Sequence, residues 1–381
     1  MERGGEYQIT RFRVGRTKDD HSTALLRVAA PDDEQLADIL RDLRNHGVEM
    51  MDQDDVDLTP APADGVFPED FYSTTNLETF VRLNGHWLPV EWPEMDCGIV
   101  INRNTCTAQT LPLAQVRAGD QLVVGTRGIR VVPLGRDRAS RAFEFMGSAV
   151  SSEKPKRLVV AKVARLMRDI RAEDKKIVAV LGPAVVHTGA APAFAKLVAG
   201  GWIDVVFGGN AVAVHDIESA FFDTSLGINL TEGESVEGGH EHHLRSINRI
   251  RGCGGIREAV EQGVLTKGLF HQIITSGVPY VLAGSIRDDG PLPDVITDSV
   301  QAQQAMREHV RGAGFCLMLC SMLHSIAVGN LLPANVHTVC VDINPAVATK
   351  LSDRGSFQTI AIVTDVGLFL DGLVSELEQT R

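Results

Sequence analysis

Gly314–Asn344, GFCLMLCSMLHSIAVGNLLPANVHTVCVDIN, decides the fold. Its apolar run Phe315–Cys320 stops at Ser321, a helix-compatible segment Met322–Asn330 follows, and a second apolar run from His337 to Val341 ends in Asp342. The order is strand, turn, helix, strand, acid. Ser321 is placed to cap the helix N-terminus, whose free N–H groups suit a pyrophosphate. Asp342 stands where a carboxylate accepts the hydroxyls of an adenosine ribose. The 21 residues from Ser321 to Asp342 are close to the roughly 20 that separate a phosphate turn from its ribose acid. The glycines of G-x-G-x-x-G are absent, which leaves open an ordinary βαβ unit with a solvated Asp after its strand.

Outward from this unit the same rhythm continues. Apolar runs at Ile177–Leu181, Ile203–Phe207, Tyr280–Ala283, Thr338–Val341 and Thr359–Val363 also precede helix-compatible segments. Buried strands alternating with helices predict a mostly parallel sheet covered on both faces. Ligands of such sheets bind beyond the carboxyl ends of the strands. Those ends are Gly182-Pro-Ala184, Gly208-Gly-Asn210-Ala211, Gly284 to Pro291 with Asp288 and Asp289, Ser321 to His324, Asp342, and Thr364-Asp365-Val366. Turn chemistry places such residues after any strand. Six together in one domain point to a nucleotide site.

The N-terminal part reads differently. Tyr7–Val14 and Thr23–Val28 are strand candidates, and Leu36, Ile39, Leu40 and Leu43 fall on one face of a helix between Asp32 and Asn45. Phe80–Leu83 and His86–Val90 flank Asn84-Gly85, the dipeptide of a type I′ hairpin. Asp64–Asn76 fits neither template and reads as a surface connection. A second hairpin is expected within Gln121–Val132, and a helix from Lys156 to Ile170 with Val159, Val160, Val163, Leu166, Met167 and Ile170 on one face. The fold class is therefore α/β: a Rossmann-like, mostly parallel sheet over 175–381, preceded by a small α+β domain over 1–108 and a linking subdomain over 109–174.

The 381 residues carry a net charge of −12, which argues against nucleic acid or an anionic membrane as the main partner. No apolar run approaches the roughly 20 residues of a membrane span, and MERGGEYQITRF has no signal-peptide core. A cytoplasmic protein with six reduced thiols is expected.

One stretch, Asp223–Thr266, interrupts the rhythm and carries Gly238-Gly-His-Glu-His-His243 and Gly252-Cys-Gly-Gly255. His240, His242 and His243 do not have the i, i+4 spacing of helical zinc motifs, so no metal is expected. Cys253 between glycines reads as a turn residue rather than a nucleophile, since no Cys-His-Asp order accompanies it.

Longer motifs carry a resemblance. The first 110 or so residues, with DGVFPEDFYSTTN and MDCGIVIN, resemble the region shared by lysine-oxoglutarate reductase/saccharopine dehydrogenase (LOR/SDH) bifunctional enzymes. The remainder, with SSEKPK, VLGPAVVHTG, FGGNAVAVHDIE, AGSIRDDGPLPDV, VDINPAVATKLSDRGSFQT and VTDVGLFL, is similar to the archaeal-type ornithine cyclodeaminases. It is also similar to the C-terminal half of cyanobacterial arginine dihydrolase/ornithine cyclodeaminase fusions. No guanidine-hydrolysing domain precedes it, so arginine dihydrolase activity is not implied.

The resemblance implies a tightly held, recycled NAD. NAD+ would take hydride from Cα of L-ornithine, the δ-amine would attack the resulting imine, ammonia would leave, and NADH would return hydride to yield L-proline. It implies cofactor roles for Asn210, Ala211, Asp289, Ser321, Met322, Leu323, His324, Asp342, Asp365 and Val366. For catalysis, Asp289, Lys154 and Glu153 are the candidates, although Ser151-Ser-Glu-Lys154 also reads as a capped helix start. An NAD(P)-dependent amino-acid or imine dehydrogenase and a non-catalytic NAD-binding regulatory module are the alternatives. Open hairpin edges at Phe80–Val90 make a homo-oligomer expected.

Overall fold

The computed structural model describes residues 6–14, 22–32, 35–36, 39–40, 43, 48, 54–132, 156–225, 228–229, 241–288, 290–347, 350 and 359–379. Two compact units divide the chain, Met1–Leu134 and Gly135–Arg381.

The first unit is antiparallel in character. Strands β1 (Glu6–Arg13) and β2 (Thr23–Ala29) pair antiparallel. Seven more form one sheet: β3 (Asp57–Pro60), β4 (Glu78–Leu83), β5 (His86–Glu91), β6 (Gly98–Asn102), β7 (Thr107–Leu111), β8 (Gln121–Val124) and β9 (Ile129–Val132), in the order β3-β8-β6-β7-β5-β4-β9. The expected hairpin is β4–β5, with Leu83 opposite His86. Asn84 and Gly85 have φ of 51° and 81°, the left-handed pair that a type I′ turn requires. The described helical residues Leu36, Ile39, Leu40 and Leu43 are half-buried.

Two features differ from the sequence reading. Strands β8 and β9, expected in a linking subdomain, pair with β3, β6 and β4, so residues 109–132 complete the N-terminal sheet. The β4–β5 hairpin is also not an open edge, because β9 covers β4 and β7 pairs with β5. Periodicity identifies a strand but not its neighbours, and here the neighbours remove the edge from which self-association was inferred.

The second unit is a parallel sheet wrapped in helices. Its strands are β10 (Lys176–Leu181), β11 (Val205–Gly209), β14 (Tyr280–Ala283), β15 (Val295–Ile296), β16 (Ala313–Leu319), β17 (His337–Asp342) and β18 (Thr359–Val363), in the order β15-β14-β11-β10-β16-β17-β18. All six pairings are parallel. The six expected strands are all present, and β15 adds a two-residue edge that no apolar run announced. Every residue of β16 is buried, which is why it reads as continuous apolar sequence rather than as an alternation. A short antiparallel pair, β12 (Thr224–Ser225) with β13 (Ile228–Asn229), lies outside this sheet.

Ten helices are described in this unit: α1 (Lys156–Ala172), α2 (Ala184–His187), α3 (Ala191–Ala199), α4 (Asn210–Phe222), α5 (His242–Cys253), α6 (Ile256–Glu261), α7 (Leu269–Thr275), α8 (Ser299–Val310), α9 (Leu323–Leu331) and α10 (Val366–Glu378). On α1 the buried face is Val160, Val163, Ala164, Met167 and Ile170, and Arg168 donates to the Glu376 carbonyl at 2.7 Å. Phe194, Phe207, Phe270, Phe315 and Phe369 are fully buried, each contributing about 1.5–3 kcal/mol by leaving water. Among the described residues no helix is long and apolar enough to cross a membrane.

Candidate active site

The site follows from strand order. The chain runs from β10 outward through β11, β14 and β15, then returns to the other side of β10 as β16 and continues outward through β17 and β18. The crevice beyond the carboxyl ends of β10 and β16 is therefore the topological switch point, where such sheets bind ligands. Gly182 follows β10 there. A Cβ on it would stand 1.7 Å from the Cys320 carbonyl oxygen, so only glycine lets the two strand ends close on each other. Cys320 itself is left-handed, with φ of 52°, an unusual backbone state that costs about 1–2 kcal/mol. Hydrogen bonds from Gly182 N to Leu319 O (2.8 Å) and from Cys320 N to Val341 O (2.9 Å) hold the turn.

Helices α4, α9 and α10 are among those that start at the carboxyl ends of this sheet. Helix α4 begins after β11 with extended Gly209 as its N-cap and no side-chain cap, so its first N–H groups have no local carboxylate or hydroxyl acceptor. Helix α9 starts after Met322, also without a side-chain cap. This corrects the reading of Ser321 as the cap: the left-handed turn at Cys320 delays the helix by one residue, and Ser321 is buried at the crevice instead. Helix α10 is capped by Asp365, whose Oδ1 accepts from Leu368 N at 3.0 Å. Oriented N-termini of this kind favour an anion.

Polar side chains complete the crevice. Asn210 is buried; its Oδ1 accepts from Leu292 N at 3.1 Å and its Nδ2 donates to Asp288 Oδ1 at 3.5 Å. Asp288 Oδ2 also accepts from Ser285 N at 2.8 Å, which orients its carboxylate. His324 crosses from α9 towards β11 and β14: a Cβ on Gly209 would meet its Cε1 at 2.8 Å. Burial pushes the His324 imidazole below its ordinary value, against a hydrogen bond to the Ala283 carbonyl and the charge of Asp288. A neutral ring that donates to Ala283 keeps its other nitrogen as an acceptor. Asp342 is half-buried at the end of β17, with Oδ1 accepting from Asn344 N at 2.8 Å. The buried hydroxyls of Ser325 and Thr364 have no hydrogen-bond partner among the described residues. Uncapped N–H groups, a carboxylate after β17 and unpartnered hydroxyls form a donor and acceptor set that fits a dinucleotide.

Most sequence-predicted residues thus fall at one edge. Asn210, Ala211, Ser321, Met322, Leu323, His324, Asp342, Asp365 and Val366 all lie at carboxyl ends of the parallel strands or on the helices that follow them. Met322 and Leu323 are exposed, whereas the Val366 side chain is buried in the core, leaving its backbone as the part able to meet a ligand. Asp289, Lys154, Glu153 and His240 lie outside the described residues.

The sequence reading placed Gly182 and Asp288 at strand ends without giving either a role of its own, and it missed a histidine cluster. His187 at the end of α2, His215 and Glu218 on α4, and His242 and His243 on α5 gather around Thr224 and Ser225. Burial and the neighbouring His215 hold His187 below the usual imidazole value. The His215/Glu218 spacing of i, i+3 and the adjacent His242 and His243 were visible in the sequence, but their meeting was not, since they come from separate elements.

Comparison with known proteins agrees with the fold. The region described as the C-terminal Rossmann fold of ArgZ-like arginine dihydrolases matches residues 161–373, its first C-terminal region matches 78–160, and the conserved region of LOR/SDH bifunctional enzymes matches 1–77. An ornithine cyclodeaminase of Methanopyrus kandleri is 52% identical over 382 residues, covering 100% of this chain and 92% of the relative. A crystal structure of a conserved LOR/SDH protein from Methanococcus maripaludis superposes with a TM-score of 0.81 at 49% identity, covering 86% of this chain and 99% of that one. The ternary complex of AgrE with ornithine and NAD+ gives a TM-score of 0.58 at 44% identity, covering 99% of this chain and 54% of AgrE.

Proposed function

Because the chain belongs to the family of the archaeal ornithine cyclodeaminases and the ArgZ-like C-terminal regions, we propose that it is an NAD-dependent ornithine cyclodeaminase, converting L-ornithine to L-proline and ammonia. The observation that carries this reading is the crevice edge, where uncapped helix starts, Asp342 and a neutral His324 beside Asp288 occur together.

Bound NAD supplies a two-electron acceptor that is restored within the same turnover. The N–H groups opening α4 at Asn210 and Ala211, with the backbone of Ser321 to His324, would hold the pyrophosphate. Asp342 accepts the adenosine ribose hydroxyls, and Asp365 with the Val366 backbone flanks them. His324 takes a proton from the α-ammonium of ornithine, freeing the lone pair that imine formation at Cα requires. The δ-amine then adds to that carbon. His324 returns the proton to the departing α-nitrogen, which leaves as ammonia, while Asp288 stabilises the transient imidazolium. Reduction of the five-membered cyclic imine gives proline, so no oxidant is consumed overall. Asp289, Lys154 and Glu153 are proposed to contact the ornithine carboxylate and amines.

The test mixes protein, ornithine and sub-stoichiometric NAD and follows ammonia, proline and NADH absorbance. Ammonia and proline in many-fold excess over NAD, without lasting NADH, are expected; one NADH per ammonia would make the protein a net dehydrogenase. The six cysteines are free and three are buried, and burial pushes Cys320 and Cys340 thiols up to about 12. Inert thiols suit the reducing cytoplasm proposed as its compartment. Self-association is proposed through the sheet edges β3 and β9, and sedimentation velocity measures it.

A further inference from the structure

His215 and Glu218 are three residues apart on α4, so the helix sets both on one face. Both are buried, at 5% and 0% exposure. His215 Nδ1 stands 3.4 Å from Glu218 Oε2. Charge-assisted N–H···O⁻ bonds are shorter, about 2.7–2.9 Å. A separation of about 3.4 Å is instead the edge of a tetrahedron whose centre lies ~2.1 Å from each ligand, the usual zinc distance to nitrogen and oxygen. His243 brings a third donor from α5, and one ligand atom from each of the three residues lies within 4.8 Å of the others.

The surroundings hold these donors in place. The Thr224 hydroxyl donates to Glu218 Oε1 at 2.9 Å and lies 2.9 Å from His242 Nδ1, so its lone pair can accept the His242 N–H. His242 in turn stacks on Phe222, with centroids 4.3 Å apart. His187 packs against His215 at 4.5 Å between centroids, and Ser225 Oγ fixes its Nδ1 at 2.6 Å. Metal ligands are commonly oriented by an outer layer of hydrogen bonds of this kind.

We propose that His215, Glu218 and His243 form a binding site for a divalent transition-metal ion of the Zn2+ class, joining α4 to α5. Two imidazoles and one carboxylate select such an ion over Mg2+ or Ca2+, which take oxygen ligands and higher coordination. Three protein donors leave the fourth position to a solvent oxygen. The site is separate from the nucleotide crevice in its residues and does not depend on the cyclodeaminase reading, so either can fail alone.

Full-length protein stripped with a chelator and dialysed would be titrated with Co2+, with Zn2+ as competitor. One Co2+ per chain is expected, giving the intense visible absorption of a four-coordinate site and displaced by Zn2+. Glu218→Gln and His243→Ala should each weaken binding at least tenfold, whereas His86→Ala, in the other unit, should leave it unchanged. If those variants do not fold, the wild-type spectrum decides the matter. Sub-stoichiometric binding, a weak six-coordinate spectrum, or unchanged affinity in the two folded variants would overturn the assignment.

Discussion

At the residue scale, Asp342 and His324 carry separable expectations. Asp342→Asn keeps an acceptor for Asn344 N but loses the charge that accepts ribose hydroxyls, so NAD affinity should fall about tenfold or more, ~1.4 kcal/mol. Isothermal titration measures this, and an unchanged Kd would mean that the adenosine end lies at another strand. His324→Gln should lower kcat by about 10²–10⁴ while NAD binds within a few-fold of wild type. Because burial depresses the His324 pKa, the acid limb of the kcat/KM profile should lie below the ordinary value of 6.5 and vanish in the variant. Asp216 has a structural task. It is fully buried, accepts from Leu269 N and Phe270 N, both at 2.8 Å, and is pushed up to about 6 by desolvation from its ordinary value of 3.8. A raised folded pKa means that its stabilising contribution is complete below about 3.8 and lost as pH rises through about 6. The shift corresponds to ~3 kcal/mol. Urea unfolding between pH 4 and 7 should show wild type losing stability relative to Asp216→Asn across that window.

At the element scale, the crevice depends on how closely strand ends approach. Gly182→Ala puts a methyl 1.7 Å from a backbone oxygen, and no rotamer relieves that contact. It should destabilise the protein by about 3 kcal/mol or more, read as a lowered denaturant midpoint. Gly209→Ala meets the edge of the His324 ring at 2.8 Å, a side chain that can move, and the Ala283 carbonyl at an ordinary 3.5 Å, so folding should survive while kcat falls with the displaced imidazole. Comparing the two by thermal melting and turnover separates architecture from chemistry. The elements themselves were legible in sequence where burial made them so: β16, buried throughout, reads as one apolar run, whereas two-residue β15 pairs only Val295 and Ile296 and leaves no pattern. The uncapped start of α9 was not legible, because Ser321 is chemically a good cap and only the left-handed backbone at Cys320 takes it out of that role.

At the scale of the whole molecule, ligand linkage offers a test. NAD at a hundred times its Kd should stabilise the folded chain by about 2.7 kcal/mol, and the rise in Tm should be smaller in Asp342→Asn. The sequence by itself determined the parallel sheet, the six strand ends and the acid after β17, because burial on both faces and turn chemistry leave local signatures. It also determined the type I′ hairpin, since Asn-Gly is local. Only the tertiary structure decided which strands are neighbours, which moved residues 109–132 into the N-terminal sheet and closed the hairpin edge. It also decided that His324 reaches Gly209 and Ala283 across β10, and that His243 meets His215, 28 positions earlier in the chain, and Glu218. Those contacts arise between elements distant in sequence, and spacing along a chain says nothing about distance once helices pack.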